Sequence, residues 1–127
     1  MFIPLQVNDA NHGLSIQTFA ANTRHLVTFI KKAGIQPVIV KESYTQIEGY
    51  PQFVACAGEI AQAMGVEVID TYTPSRGRVD LLADYAHPND AGHQLIFDQY
   101  KGWLTSKPVS GVDNQGALVK VSASACI

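Results

Sequence analysis

Three short apolar runs, separated by segments of helical length, constrain the fold of this chain most strongly. The runs Phe2–Val7, Pro37–Val40 and Val66–Ile69 are predicted to be buried strands, with Pro4 marking a strand entry or an edge. Near-continuous apolar runs of this length are typical of a parallel sheet that is covered on both faces.

A helical pattern follows each of these runs. In the first helix Ser15 is placed to cap the start, and Gly34 lies just past the end. In the second, Pro51 falls in the first turn and Gly65 stops the helix. A third helix is predicted over about 89–104. Repeated strand–helix units predict a layered α/β fold, in which ligands bind beyond the carboxyl ends of the strands.

Composition excludes several classes of function. The 127 residues are one domain's worth, and 46% hydrophobic with 16% charged residues is typical of a globular protein. The net charge is −2 and the basic residues are scattered, which argues against a nucleic-acid partner or an anionic membrane. No apolar run approaches the roughly 20 residues of a membrane span. The first residues do not resemble a signal peptide, and the compartment stays open.

The two cysteines, Cys56 and Cys126, provide neither a disulfide framework nor the spacing of a metal site. Their redox state is left open by the sequence.

The first candidate functional residue is Asn8, which follows the first predicted strand. At the carboxyl end of that strand its side-chain amide could donate a hydrogen bond to a ligand. The alternative is local, because Asn and Asp commonly end strands and begin turns.

The second candidate is the pair Asp84 and His87. A carboxylate three residues before a histidine can fold back to accept the imidazole N–H, which fixes the tautomer and stabilises the imidazolium. Spacing alone does not single this pair out. The same separation occurs in two other pairs, Asp9/His12 and Asp90/His93.

The context of these residues resembles a known family. Asp84 and His87, followed by Pro88-Asn89 and a helix, resemble the last signature block of the SGNH (GDSL-type) hydrolases. Val7-Asn8-Asp9 is similar to that family's asparagine block. The resemblance covers residues 2–104 and implies a three-layer α/β/α fold with a parallel, flavodoxin-like sheet.

The resemblance implies a role for each matching residue. His87 would be the general base of a serine esterase, Asp84 would orient it, and Asn8 would donate to the oxyanion of the tetrahedral intermediate. The implied reaction is ester hydrolysis through an acyl-enzyme, with O-acetyl groups on carbohydrate as the substrate by family analogy. It implies no cofactor and no metal. His93 is expected to pack or cap near the last helix.

The chain also departs from the family pattern. It contains no Gly-Asp-Ser motif, and the family's second block, with its oxyanion-hole glycine, is missing too. Gln6 stands where the asparagine block usually has glycine. None of the serines near the candidate loops (Ser15, Ser43 and Ser75) has the strand–turn–helix setting of a nucleophile, so capping or turn roles are predicted for them.

We therefore expect residues 1–104 to be a partial SGNH hydrolase domain whose N-terminal βα units are missing. The serine would come from an upstream segment or from another polypeptide. Residues 105–127 are expected to be a tail: one more strand, the start of a β-rich appendage or a loose end.

Two rival functions remain at this point. One is a non-catalytic binding or structural module on the same scaffold, for example in a viral tail or a cell-surface assembly. The other is a metal-dependent hydrolase, because His and Asp clusters bind zinc or manganese. Its candidate ligands are His87, Asp90 and His93, with His12 or Asp84.

Further loop residues have two interpretations each. Tyr44, Tyr50 and Phe53 could line an acyl or sugar pocket, or belong to a mobile loop and a helix stripe. Arg76 and Arg78 could meet an anionic substrate, although a solvated loop explains them better.

Overall fold

The computed structural model describes residues 1–107 and residue 126. Its strands are β1 (Phe2–Ile3), β2 (Val38–Lys41) and β3 (Glu67–Asp70), and its helices are α1 (Gln6–Asn11), α2 (Ile16–Lys32), α3 (Tyr50–Met64) and α4 (Asp90–Thr105). Two short 3-10 turns, Thr73–Ser75 and Val79–Leu81, lie between β3 and α4. Most of the predicted tail, 108–125 and 127, lies outside the described residues.

The three strands form one parallel sheet in the order β1-β2-β3. Their side chains alternate between two apolar layers. Ile39 belongs to the core shared with α2 and α3, whereas Val38 and Val40 pack on the opposite face against Tyr100 and Trp103 of α4. The chain is therefore an α/β protein with helices on both faces of a parallel sheet, and the predicted fold class is confirmed.

The helix ends follow the signals in the sequence. The Ser15 side chain caps α2 by accepting from the Thr18 N–H at 3.1 Å, and Pro51 lies in the first turn of α3. Gly65 ends α3 with a φ of 65°, a left-handed conformation that glycine adopts without strain. The helices expected from these signals are confirmed. None of the helices within 1–107 combines the length and hydrophobicity needed to cross a bilayer.

The first predicted strand is shorter than expected. Only Phe2–Ile3 pairs with β2, and the chain turns into α1 at Gln6. Pro4 has no N–H to donate to a neighbouring strand, which accounts for the early end of the pairing. The prediction of a strand over Phe2–Val7 was therefore wrong beyond Ile3, and Asn8 lies on a helix rather than in a loop.

Cys56 and Cys126 form a disulfide bond across 70 residues. Both side chains are buried in the core cluster that contains α2 and α3. The sequence contains no spacing signal for this bond, because it depends on a tertiary contact between distant segments.

Candidate active site

A tight turn joins the two residues of the predicted acid–base pair. Asp84 Oδ1 accepts the backbone N–H groups of Ala86 and His87, both at 2.8 Å. The same oxygen lies 2.9 Å from His87 Nδ1. One carboxylate thus holds both the backbone of the turn and the imidazole ring.

This geometry favours the ionised form of Asp84. The hydrogen bond from the Ala86 N–H, followed by those from the His87 ring and backbone, lowers the pKa of the Asp84 carboxyl. Both side chains are exposed, 71% for His87 and 53% for Asp84. With Nδ1 engaged by Asp84, Nε2 is the ring nitrogen left for proton exchange with a reacting group.

The two other Asp–His spacings behave differently. His12 Nδ1 donates to the backbone oxygen of Asn8 at 2.7 Å rather than to Asp9. Within residues 1–107, Asp84 and His87 are the Asp–His pair of this spacing whose side chains are hydrogen-bonded to each other. An Asp three residues before a His therefore forms a side-chain pair only where the backbone turn between them brings the two side chains together.

The start of α4 is fixed against the loop that carries His87. Asn89 Oδ1 accepts the Gly92 N–H at 3.0 Å, while its Nδ2 donates to the Asp80 carbonyl at 2.8 Å. The Asn89 N–H donates to the Leu81 carbonyl at 2.9 Å. Asn89 therefore caps α4 and ties it to the preceding 3-10 turn. This anchoring fixes the segment immediately after His87.

Asn8 and His87 line the same cleft, which has a volume of about 370 Å³. Residues following β2 and β3, including Ser43 and Thr71, form other parts of its wall. The carboxyl ends of the parallel strands thus meet at one cavity, where ligands are expected in such sheets. His93 also lines the cleft, in addition to lying in the first turns of α4.

The Asn8 side chain is exposed on α1. Among the described residues its carboxamide has no hydrogen-bond partner, although its backbone oxygen accepts from His12. An amide that lines a cleft without an internal partner is available to donate to a ligand.

Glu42 is a cleft residue that the sequence analysis missed. It follows β2 directly, and its Oε2 accepts the Val7 N–H at 2.9 Å. Burial raises the pKa of the Glu42 carboxyl, and the hydrogen bonds from Val7 and Gln6 oppose that effect only in part. Burial also raises the pKa of Tyr100, another residue of this cleft. The rule that ligands bind beyond the carboxyl ends of strands could have identified Glu42.

Tyr50 and Phe53 do not line the cleft. Both are buried in the core, and the Phe53 ring packs edge-on against Phe19 with centroids 5.1 Å apart. The Tyr50 hydroxyl donates to the carbonyls of Glu42 and Ser43 at 2.8 and 3.0 Å. The pocket interpretation of these two aromatics was wrong, because they lie on the buried face of α3.

Two further expectations concern charged groups. Arg78 forms an exposed ion pair with Asp80, which agrees with a solvated loop. Among residues 1–107 and 126, no group of three or more His, Cys, Asp or Glu side chains is arranged to hold a metal ion.

The family comparison covers the segment that builds this site. The model of the GDSL-like Lipase/Acylhydrolase family matches residues 3–95, which include Asn8, Asp84 and His87. Searches of curated proteins and of solved structures give no match. Because the match extends over most of the 127 residues, the chain belongs to the GDSL-like lipase/acylhydrolase family.

Proposed function

We propose that this chain supplies the Asp–His pair and the oxyanion donor of an SGNH-type serine esterase. The observation that carries the proposal is that Asn8 and His87 line one cleft, while Asp84 holds the His87 ring. Membership of an acylhydrolase family supports ester hydrolysis as the reaction.

In the proposed mechanism, His87 takes the proton of a serine hydroxyl as the serine oxygen attacks the ester carbonyl carbon. The tetrahedral intermediate collapses to an acyl-enzyme, and His87 returns the proton to the departing alcohol. Water then attacks the acyl-enzyme as His87 takes its proton, and His87 gives that proton to the serine oxygen as the acid leaves. Asp84 stabilises the imidazolium, and the Asn8 carboxamide donates to the oxyanion in both steps.

We further propose that the nucleophilic serine comes from outside residues 1–127. The chain has no Gly-Asp-Ser motif, and Ser15 is occupied in capping α2. Ser75 is also occupied, since its hydroxyl donates to the Thr71 carbonyl at 2.7 Å and accepts the Tyr44 N–H at 2.8 Å. Among the described serines Ser43 is the internal rival, because it lines the cleft.

The side of β1 that has no partner strand within residues 1–107 is the proposed place for the serine-bearing segment. β1 is an edge strand of the described sheet, and the Phe2 side chain on it is 45% exposed. An unpaired parallel edge accepts a further strand through its backbone groups. The segment would come from a longer polypeptide that contains this chain, or from a partner chain.

For the substrate we propose an ester of a carbohydrate, with an O-acetyl group as the acyl part. Glu42 and Ser43 bring oxygen-bearing side chains to the cleft, and such groups suit the hydroxyls of a sugar. The acetyl preference rests on family analogy alone.

The test is hydrolysis of p-nitrophenyl acetate by the isolated chain and by its assembly with the Gly-Asp-Ser-bearing polypeptide. We expect background rates from the chain alone and turnover from the assembly. In the assembly, Asn8→Ala should lower kcat by about 10²–10³-fold, as the loss of an oxyanion donor does. His87→Ala should abolish turnover, whereas the exposed controls Asn22→Ala and His25→Ala should not change it.

Labelling by a fluorophosphonate separates the two sources of serine. Activity of the isolated chain that depends on His87, with the label on Ser43, would disprove the external serine. Turnover of the assembly that survives His87→Ala would disprove the esterase proposal itself.

The alternative function is a binding or structural module that keeps this scaffold without turnover. The missing Gly-Asp-Ser motif favours it. Binding of an acetylated oligosaccharide by the isolated chain, with no hydrolysis in any assembly, would support this alternative.

A further inference from the structure

The short helix that carries Asn8 has no local cap. Leu5 occupies the N-cap position of α1 and offers no side-chain acceptor, in contrast to Ser15 of α2. The first N–H groups of any helix lack partners within the helix. A helix of six residues is also too short to be stable by itself. The position of α1 therefore depends on contacts from elsewhere in the chain.

Glu42 and Gln6 supply these contacts as a reciprocal pair. The Val7 N–H in the first turn of α1 donates to Glu42 Oε2 at 2.9 Å. In return, the Glu42 N–H donates to Gln6 Oε1 at 2.9 Å. The Gln6 side chain is only 1% exposed. Each residue thus satisfies a backbone donor on the other's segment.

The other end of this pair is firmly held. The Glu42 carbonyl accepts the hydroxyl of Tyr50, a fully buried residue of α3. The preceding residue, Lys41, lies in β2 and is paired in register with Asp70 of β3. α1 is therefore attached to a part of the sheet that is itself fixed from both sides.

We propose that Glu42 and Gln6 are positioning residues that hold the Asn8 carboxamide at the cleft. Asn8 directly follows Val7, so the hydrogen bond on Val7 fixes the turn that bears it. The pair also gives a role to Gln6, which stands where the asparagine block usually has glycine. The inference rests on the proposed function only in one respect, which is that the positioned Asn8 carboxamide serves as the oxyanion donor.

The pair joins residues that are far apart in sequence, and this separates it from ordinary capping. Val7 and Glu42 are separated by 35 positions, and Glu42 itself lines the cleft. A change at Glu42 is therefore expected to reach α1 and Asn8 through these two hydrogen bonds.

The experiment measures amide exchange and the Asn8 side-chain signals by NMR on the full chain. In Glu42→Ala, exchange of the Val7 N–H should be about ten- to a hundredfold faster, the loss expected for a hydrogen bond to a charged group. The Asn8 carboxamide signals should shift with it. Glu42→Gln keeps an oxygen acceptor of the same shape and should restore both readouts in large part. Amides of α3 should exchange at unchanged rates.

The matched control is Glu48→Ala, an exposed glutamate on the same β2–α3 connection. It should leave both readouts as in the unmodified chain. Should Glu42→Ala fail to fold, Gln6→Ala tests the other half of the pair, with the exposed Gln46→Ala as its control. Gln6→Ala is expected to speed exchange of the Glu42 N–H and to shift the Asn8 carboxamide signals.

The inference is overturned if the Val7 and Asn8 signals do not respond to Glu42→Ala, or if Glu48→Ala changes them equally. When Glu42→Ala does not fold, unchanged Glu42 and Asn8 signals in Gln6→Ala overturn it. These readouts do not require turnover. The NMR readouts could show that Asn8 is positioned while Asn8→Ala leaves the turnover of the assembly unchanged. That combination would disprove the proposed function but not the positioning of Asn8.

Discussion

The Nδ1 atom of His87 lies 2.9 Å from Oδ1 of Asp84, the oxygen that also accepts the His87 backbone N–H at 2.8 Å. The carboxylate therefore orients the ring and the backbone that carries it. Because all of these contacts lie within one turn, the pair keeps its geometry although both side chains are exposed.

Asp84→Asn is predicted to damage this pair through the tautomer of His87. An amide that donates to Nδ1 moves the ring proton to Nε2, so His87 cannot accept the serine proton there. In the proposed esterase assembly we expect a loss on the order of 10⁴-fold in kcat, which is the loss that the same change causes in a Ser-His-Asp triad. Nitrogen NMR of the His87 ring in the isolated chain checks the tautomer without turnover.

The matched control is Asp98→Asn, a like change on the exposed surface of α4. A His87 ring that keeps its proton on Nδ1 in Asp84→Asn would contradict the orienting role.

Local signals in the sequence were sufficient to predict most of the fold. The Ser15 cap, Pro51 and Gly65 act on their own helices, so their effects can be recognised without knowledge of the tertiary structure. The Asp84–His87 pair was predictable for the same reason, because the contact spans three positions.

The early end of the first strand has a local cause, because Pro4 has no N–H for strand pairing. The other features that were missed depend on distant contacts, since α1 is completed by Glu42, a residue 35 positions from Val7. The Cys56–Cys126 bond spans 70 positions. Nothing in the residues adjacent to Val7 or Cys56 indicates which remote group will meet them.

The pKa values of two carboxyls of the site are predicted to be shifted in opposite directions, so their effects on stability depend on pH with opposite signs. The pKa of Asp84 lies below its ordinary value of 3.8, because backbone and ring hydrogen bonds favour the anion. Its stabilisation of the fold is present above pH 3.8 and is lost as the pH falls through the lowered pKa.

The pKa of Glu42 lies above its ordinary value of 4.5, because burial penalises the anion. Its contribution is present below pH 4.5 and is lost as the pH rises through the raised pKa.

Urea unfolding as a function of pH checks both carboxyls. Glu42→Gln should remove a decline in stability above pH 4.5, and Asp84→Asn should remove a decline below pH 3.8. Each variant is the control for the other. A Glu42→Gln curve with the same decline as the unmodified chain would contradict the assignment to Glu42.

Loss of the disulfide is predicted to lower the free energy of unfolding substantially. Cys56 and Cys126 close a loop with a sequence separation of 70, for which the chain-entropy model gives about 4 kcal/mol. Urea unfolding with and without a reducing agent measures the effect. Cys126→Ser should match the reduced protein and should not respond to the reducing agent. If the urea unfolding transition of the unmodified chain does not change when the reducing agent is added, the prediction is contradicted.

Gly92→Ala is predicted to destabilise the fold and disturb the His87 loop. A Cβ at Gly92 would overlap the Leu81 carbonyl oxygen and lie 2.8 Å from Pro88 Cβ, so the backbone there must shift. Overpacking of this kind costs about 1–3 kcal/mol. Pro88 directly follows His87, and we therefore also expect the His87 ring signals to move.

The control for this change is Gly102→Ala in the same helix. A Cβ at Gly102 would have no atom within 4 Å. At an exposed helix position alanine is more favourable than glycine by about 0.5–1 kcal/mol in folding free energy. Urea unfolding should therefore show opposite signs for the two substitutions. Equal stabilisation by both would contradict the close approach of Gly92 to the Leu81 carbonyl.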